Sequence, residues 1–469
     1  MGHPARQAIL IADLSYGDAG KGSIVDALTR RHPAHTVVRY NGGAQAAHTV
    51  VETSGRQHTF AQFGSGTFVS GTRTHLSRFM LVNPLSMLKE EQHLQKLGIE
   101  DAFQRASLDE AALIITPFQQ AANRLHEIAR SDQRHGSCGM GIGETMADFL
   151  AYGERVLFAR DLPDRATVRH KLRFLREVKL AQLEQIMADV PQTGQAAQEV
   201  AILRDPGLID ACADLYQFFS ELIALVDDRF LGSLLEHPGT IIFEGAQGVL
   251  LDEWYGFHPY TTWSTTTFHH AEQLLQEQAY GDTVINIGVL RGYATRHGAG
   301  PLVTEDTTLT ALLPDAHNAT NPWQQAFRVG HFDLITTRYA LALAGSVDAL
   351  TVTNLDRLAA FPIWNLCDAY HYTGDAADLS SYFEIRDGIL TGIKVHRPAD
   401  LAHQEQLTKL LWHCAPQYQT IQPGHPTDAT QRDHLYSYLA LLEQHLKRPI
   451  AIASYGPTAQ DKIYLTSLV

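Results

Sequence analysis

Asp18 and Lys21 lie close together in the run Ser15-Tyr16-Gly17-Asp18-Ala19-Gly20-Lys21-Gly22-Ser23, and their types suit phosphate chemistry. Gly17, Gly20 and Gly22 let the backbone approach a phosphate, and a helix start beyond them offers unpaired N–H groups. Lys21 adds a point charge. The run is not a Walker A loop, which needs Gly where Ser15 stands and Ser or Thr where Gly22 stands. Phosphate would repel Asp18 unless a cation lay between them, and Mg²⁺ takes both a carboxylate and phosphate oxygens. The same residues also read as a glycine-rich turn capped by Asp18.

Further polar groups recur in similar surroundings. His48 ends Asn41-Gly42-Gly43-Ala44-Gln45-Ala46-Ala47-His48, although a lone histidine is more often structural than catalytic. Gln247, between small residues in Glu244-Gly245-Ala246-Gln247-Gly248, can present its amide to a ligand. Four glycines in His135–Gly143 suit either a ligand cradle or a flexible loop. Thr261–Thr267 is hydroxyl-rich and reads as a solvent loop or a run of helix caps. Arg296, followed by Gly298-Ala299-Gly300-Pro301, has the planar fork of an anion clamp. Asp356, just past an apolar run, can accept both ring N–H donors of guanine, which adenine does not offer in that pattern.

The elements that must carry these groups are short apolar runs. Ala8–Ala12, Thr36–Tyr40, Thr240–Phe243, Val284–Leu290, Ala349–Thr353 and Ile450–Ala453 read as strands, each emptying into one of these loops. Loops at strand ends suit an open α/β sheet, whose ligands sit at the carboxyl ends. Residues 165–235 have helical spacing with a charged face and read as an inserted scaffold. Residues 370–395 alternate like short strands, and 318–330 reads as a mobile polar surface loop. No repeat or linker divides the chain, so one α/β domain over 1–469 is expected.

Composition narrows the class. The 469 residues are 45% hydrophobic and 19% charged, ordinary for a globular protein, and the net charge of −14 argues against general binding to nucleic acid or a membrane surface. Cys138, Cys212, Cys367 and Cys414 form no CxxC pair, which fits a reducing compartment and no zinc site. The first apolar run is too short for a signal-peptide core, so a cytoplasmic protein is expected.

Taken in order, the loops resemble those of the adenylosuccinate synthetase family over most of the chain. Gly17–Gly22 is similar to GDEGKG, Asn41–Thr49 to GG-x-NAGHT and 136–143 to GTTGRGIG. Glu244–Asp252 matches EGAQGxxLD, Tyr293–Glu305 is similar to AYxTRVGxGPFPTE, Leu355-Asp356 to the LD of KLDxL, and Ser454–Pro457 to STGP. The resemblance implies a large, mostly parallel central sheet flanked by helices, with a small antiparallel part, a P-loop-NTPase-like architecture and a homodimer. It also implies a ligase using GTP and Mg²⁺ to join L-aspartate to IMP. Asp18 stands at the general base and metal contact, with Ala47 as the second metal contact, and His48 and Lys21 at the phosphates. Gln247 stands near O6. Gly17, Gly20, Gly22, Ala47, Thr49, Asn354, Asp356, Ser454 and Gly456 stand at the GTP site. Asn41, Gln45, Ser137, Cys138, Thr262, Arg296 and Arg328 stand at the substrates.

Departures cluster at particular places. Ala19 replaces a Glu and Ser23 a Lys, Cys138 a Thr, Met140 an Arg, and Asn354 the Lys before LD. Where the family has arginine-rich GRxRRxGWxD, Gln325–Gly330 keeps only Arg328. Each guanidinium lost from a dicarboxylate forfeits charge-assisted bonds of roughly 1.5–3 kcal/mol. Two alternatives therefore stand beside aspartate ligation: the same activation with a different amine or oxo compound, and a nucleotide-binding protein without catalysis.

Overall fold

Parallel strands covered on both faces should read as unbroken apolar runs, and Ala8–Ala12 does: each of its side chains is 0–1% exposed. The computed structural model describes residues 5–314, 323–324, 326–375, 378–421 and 429–467. Ten strands form the main sheet in the order Lys462–Tyr464, Ile450–Ser454, Ala349–Thr353, Thr283–Arg291, Gln7–Asp13, Thr240–Gly248, Thr36–Arg39, Arg73–Leu76, Ala106–Asp109 and Ala224–Val226. Neighbours run parallel, except that Lys462–Tyr464 lies antiparallel to Ile450–Ser454.

Gln7–Asp13 is central: Ile9 pairs with Ile242 on one side and Ile285 on the other. The chain leaves it toward Thr36–Arg39 and later fills the opposite side. This reversal of direction opens a crevice at the carboxyl ends, where open α/β sheets bind ligands.

The helices start where local chemistry allows. Pro84–Lys96 is capped by Asn83, whose Oδ1 accepts from Ser86 N at 2.9 Å, and Pro117–Arg130 by a Thr116/Gln119 capping box. By contrast, Lys21–Arg31 and Ile142–Tyr152 follow Gly20 and Gly141 in the left-handed region, with no side-chain cap. The two helices bordering the crevice thus keep their first N–H groups free of side-chain caps.

The insertion is helical over Arg165–Gln182, Glu184–Asp189, Gly194–Arg204, Gly207–Leu222 and Arg229–Leu235. It departs from the expected pattern at Ala224–Val226, which extends the main sheet by an edge strand. Its buried Lys179 meets Asp148 at 2.7 Å and Glu144 at 2.8 Å, tying it to the helix Ile142–Tyr152. A smaller sheet of Phe332–Asp333, Trp364–Tyr372, Phe383–Arg386, Ile389–Ile393 and Cys414–Ile421 is antiparallel apart from its Phe332–Asp333 edge.

The irregular loop expected over 318–330 is corrected at its end. Phe327–Gly330 is a strand paired antiparallel with Ala294–His297, while 318–322 and 325 lie outside the described residues. No helix among the described residues is long and apolar enough to cross a membrane.

Candidate active site

The glycine-rich loop is knotted from beneath by Asp13, at the end of the central strand. Its Oδ1 accepts from Ser15 N (2.8 Å), Ser15 Oγ (2.6 Å) and Gly17 N (3.3 Å), and its Oδ2 from Ala19 N (2.8 Å) and Lys21 Nζ (3.0 Å). Lys21 is 2% exposed and also donates to Gly17 O at 2.7 Å. It braces the loop from inside and does not line the cavity above. The loop also needs Gly248, where an added Cβ would lie 2.2 Å from Ser15 O. Asp18 remains partly exposed at the top. Burial raises its carboxyl above the ordinary range, against the charges of His297 and Arg291, which pull it down.

His48 begins a strand, His48–Val51, paired antiparallel with Gln57–Phe60. Gly22 brings it against the first helix, since a Cβ there would lie 2.8 Å from His48 Cβ. Behind the imidazole is Glu244, fully buried, 2.6 Å from Nδ1 and also accepting from Ser65 N (2.8 Å) and Ser65 Oγ. Burial opposes charge on both partners. The His48 hydrogen bond, with His48 and Arg39 nearby, nonetheless draws Glu244 down to about 2, while burial takes His48 to about 4 despite the pull of Glu244. The carboxylate is the charged partner of a neutral imidazole whose Nδ1–H is directed at it.

Asp18, His48 and Gln247 open on one cavity of about 460 Å³, within the range of small-molecule sites. Gln45, Ala47, Ser137, Cys138, Thr262 and Arg296 share its wall. Gln247 adopts a left-handed conformation (φ 58°), and its Oε1 accepts from Gln45 Nε2 at 3.0 Å. Asn41 lies beneath, fully buried, giving Nδ2 to Ala246 O and Thr265 O and taking Ala246 N on Oδ1, so it positions the loops. Ser137 Oγ accepts from Asn123 at 2.9 Å, and burial pushes the Cys138 thiol up to about 11.

The two arginines are placed otherwise than an anion clamp requires. Arg296 gives Nε to Ala299 O (3.0 Å), Nη1 to Pro301 O (2.8 Å) and Nη2 to Tyr260 O (3.2 Å). Arg328 is off the cavity wall, giving Nε to Gly298 O, Nη2 to Gly300 O and Nη1 to Glu305. Every guanidinium nitrogen of this pair is committed within the fold, and together they hold four successive carbonyls, 298 to 301.

On the other side of the glycine loop lies a second group. Thr353 Oγ1 donates to Ala19 O at 2.6 Å, joining that loop to the turn Asn354–Asp356. Gly20 faces Thr353 and Asn354, and Ser454 Oγ donates to Gly456 O at 3.3 Å beside them. Thr49 lies apart on the His48 hairpin, 3.0 Å from Thr59. The expected residues therefore fall into a cavity set and a strand-end set, separated by the glycine loop.

Sequence reasoning passed over Asp13 and assigned no role to Glu244, Arg291 or His297. An acid directly after an apolar run, as at Asp13 and Glu244, was the available signal. A charge that close to a buried strand must be answered by donors.

The sequence model of the adenylosuccinate synthetase family matches residues 10–463. The chain is 28% identical over 473 residues to the adenylosuccinate synthetase of Chlorobium limicola, spanning 98% of each. It is 30% identical over 470 residues to that of a Cyanothece species, spanning 97% of this chain and 94% of that protein. Among solved structures it is similar to the fully ligated adenylosuccinate synthetase from Plasmodium falciparum, with a TM-score of 0.76 at 20% identity over 98% of this chain and 99% of that one. It is also similar to a cyanophage S-2L succinoaminodeoxyadenylate synthetase bound to dGMP and to dATP as an energy donor, with a TM-score of 0.58 at 14% identity over 99% and 97%.

Proposed function

The chain belongs to the adenylosuccinate synthetase family, ligases that form a C–N bond, and we propose that it uses GTP and Mg²⁺ to join IMP, or a related 6-oxo purine nucleotide, to L-aspartate, giving adenylosuccinate. The carrying observation is the single cavity onto which Asp18, His48 and Gln247 open, with Glu244 behind the imidazole.

A 6-oxo purine is a poor electrophile because its oxygen leaves badly. Asp18 takes the N1 proton, and the charge moves to O6. O6 then attacks the γ-phosphorus, the bond to the β-phosphate oxygen breaks, and GDP departs. The amine adds at C6, the C6–O6 bond breaks so that inorganic phosphate leaves with O6, and the proton that the amine gives up passes to the departing phosphate. Gln247, held by Gln45, presents its amide to the base. His48 serves the phosphates: their negative charge favours the imidazolium, so a ring held by Glu244 donates to them as charge shifts in transfer.

The donor set fits Mg²⁺. Among the described residues no group of three His, Cys, Asp or Glu side chains is arranged to hold a metal. One carboxylate, Asp18, and the carbonyl of Ala47 on the cavity wall are the protein donors expected where phosphates supply the rest. When bound, the ion neutralises phosphate charge. The strand-end set from Asn354 to Gly456 takes the GTP base. The protein works in the cytoplasm as a homodimer.

Replacing Asp18 with Asn tests this reading. Turnover of GTP, IMP and aspartate to GDP and adenylosuccinate falls about 10²–10⁴-fold while nucleotide binding persists. Undiminished turnover in that variant overturns the assignment, and so does wild-type protein that releases no GDP with any 6-oxo purine. A non-catalytic binder predicts no turnover to lose.

The arginines favour a second reading for the amine alone. With Arg328 committed within the fold and off the cavity wall, the aspartate carboxylates lose the one guanidinium that the run Gln325–Gly330 retains. GDP release measured against a panel of amines decides it: turnover with another amine and none with aspartate replaces aspartate and keeps the activation chemistry.

A further inference from the structure

Lys462 is 6% exposed, yet its ammonium makes a single hydrogen bond, to Gly456 O at 2.8 Å. An ammonium has three donors, and burying one without partners is costly. Asp461, Asp26 and Asp356 all act on it electrostatically, but among the described residues none closes an ion pair with it. We propose that Lys462 is the second half of a purine reader, donating to the 6-oxo group of the guanine whose N1–H and 2-amino group Asp356 accepts.

The register puts the two side by side. Ser454 is the cross-strand partner of Lys462, and Ala453 pairs with Val352, two residues before Asn354. Lys462 and the turn Asn354–Asp356 therefore flank the same carboxyl end, that of Ile450–Ser454. Thr353 fastens this turn to the glycine loop, and a Cβ added to Gly20 would lie 3.7 Å from Thr353 Oγ1 and 3.9 Å from Asn354 Oδ1. A nucleotide with its phosphates on the loop reaches this group with its base. Asp356 is partly exposed there, and it acts on the Lys462 ammonium electrostatically without closing an ion pair with it among the described residues, so both groups keep capacity for one base edge.

The pairing is selective by sign. Guanine offers an acceptor at position 6 and donors at 1 and 2, matching ammonium and carboxylate. Adenine offers a donor at 6 and an acceptor at 1, and meets repulsion twice. Sites built to hydrogen-bond a group strongly reject analogues lacking it, because their own buried polar groups are then unpaired. Burial brings the Lys462 ammonium down to about 8, so it is charged at neutral pH.

The inference rests on the strand-end set binding the nucleotide base, as proposed above, and binding tests it without turnover. Calorimetry on the full-length protein and on Lys462→Met compares GDP, IDP, 6-thio-GDP and ADP. IDP keeps the 6-oxo group without the 2-amino group, and 6-thio-GDP keeps both donors with a weak acceptor at position 6. The wild type is expected to bind GDP at least about tenfold tighter than 6-thio-GDP or ADP. Lys462→Met weakens GDP and IDP by about 10–100-fold, the loss of one charged hydrogen bond, and leaves 6-thio-GDP and ADP within about threefold. Equal weakening of all four means that Lys462 only braces the Gly456 turn and overturns the inference; unchanged GDP binding does the same. Should the variant fail to fold, the wild-type ratio of GDP to 6-thio-GDP decides, a value near one being fatal. Guanine selectivity without ligase turnover would remove the proposed activity and leave the reader standing.

Discussion

Glu244 determines what His48 can do. It fixes Nδ1–H of the ring and carries the charge of the pair. In Glu244→Gln an amide N–H can face Nδ1 instead and favour the other tautomer, so kcat falls at least about a hundredfold while KM for the nucleotide holds. Steady-state GDP release reads this, and an unchanged kcat rejects a role for the pair in phosphoryl transfer. Asp13 carries a different load. It answers five donors, and with Lys21 it forms an ion pair whose side chains are 0% and 1% exposed. Asp13→Asn strands the Lys21 charge and costs about 3–5 kcal/mol, visible as a lower denaturant midpoint with an unchanged m-value. The sequence shows that Asp18 and His48 are chemically apt, because glycines and small residues surround them. It does not show Asp13 as a keystone, because an acid ending an apolar run is equally at home as an exposed strand end.

The strands and capped helices were legible because their signals are local: unbroken apolar runs, Thr116 ahead of Pro117, Asn83 ahead of Pro84. What was not legible depends on partners remote in the chain. Ala224–Val226 lies in the apolar run Leu222–Val226, which continues the helical pattern before it without a break, and it becomes an edge strand because Ala106–Asp109 offers it a ladder. Phe327–Gly330 lies in a polar stretch and is ordered by Ala294–His297. The same pairing sets Arg296 opposite Arg328, turning an apparent anion clamp and an expected substrate arginine into a cage for the carbonyls of 298 to 301. Spacing reveals that a guanidinium is present, not which way it faces. Gly300 closes this cage: at φ +103° it lies so close to Arg296 that an added Cβ would be 2.1 Å from Nη2. Gly300→Ala should cost about 1–3 kcal/mol by strain and overpacking and raise KM for the acceptor purine, since Arg296 and Ala299 both line the cavity. Urea unfolding and steady-state kinetics check the two effects, and a variant with wild-type stability refutes the cage.

At the edge of the smaller sheet, Asp333 ties the helix Leu334–Ala344 to the strand Trp364–Tyr372. Its Oδ1 caps the helix Leu334–Ala344 through Ile335 N (2.9 Å) and Thr336 N (3.2 Å), and its Oδ2 accepts from Tyr370 OH in the smaller sheet at 2.5 Å. Burial raises this carboxyl to about 6 against those hydrogen bonds, whereas Glu244 and Glu144, for all their burial, are held near 2 by paired histidines, with Lys179 also acting on Glu144. The two kinds of acid pull the pH dependence of stability in opposite directions. For the glutamates the native pKa lies below the ordinary value of 4.5, so their contribution is complete above it and is lost as pH falls toward 2. For Asp333 the native pKa lies above the ordinary 3.8, so the folded state binds the extra proton. Its stabilisation is complete below 3.8 and disappears as pH rises through 6, a change of up to roughly 3 kcal/mol. Asp333→Asn keeps an oxygen for the two helix N–H groups and cannot ionise. The variant should therefore be weaker than, or equal to, the wild type at pH 4, gain on it as pH rises to about 6, and hold a level difference from there to pH 8. Denaturant unfolding of both proteins across that range measures the difference, and a difference that stays flat would mean that Asp333 is ionised in the fold throughout and that this joint between helix and sheet has no protonic component.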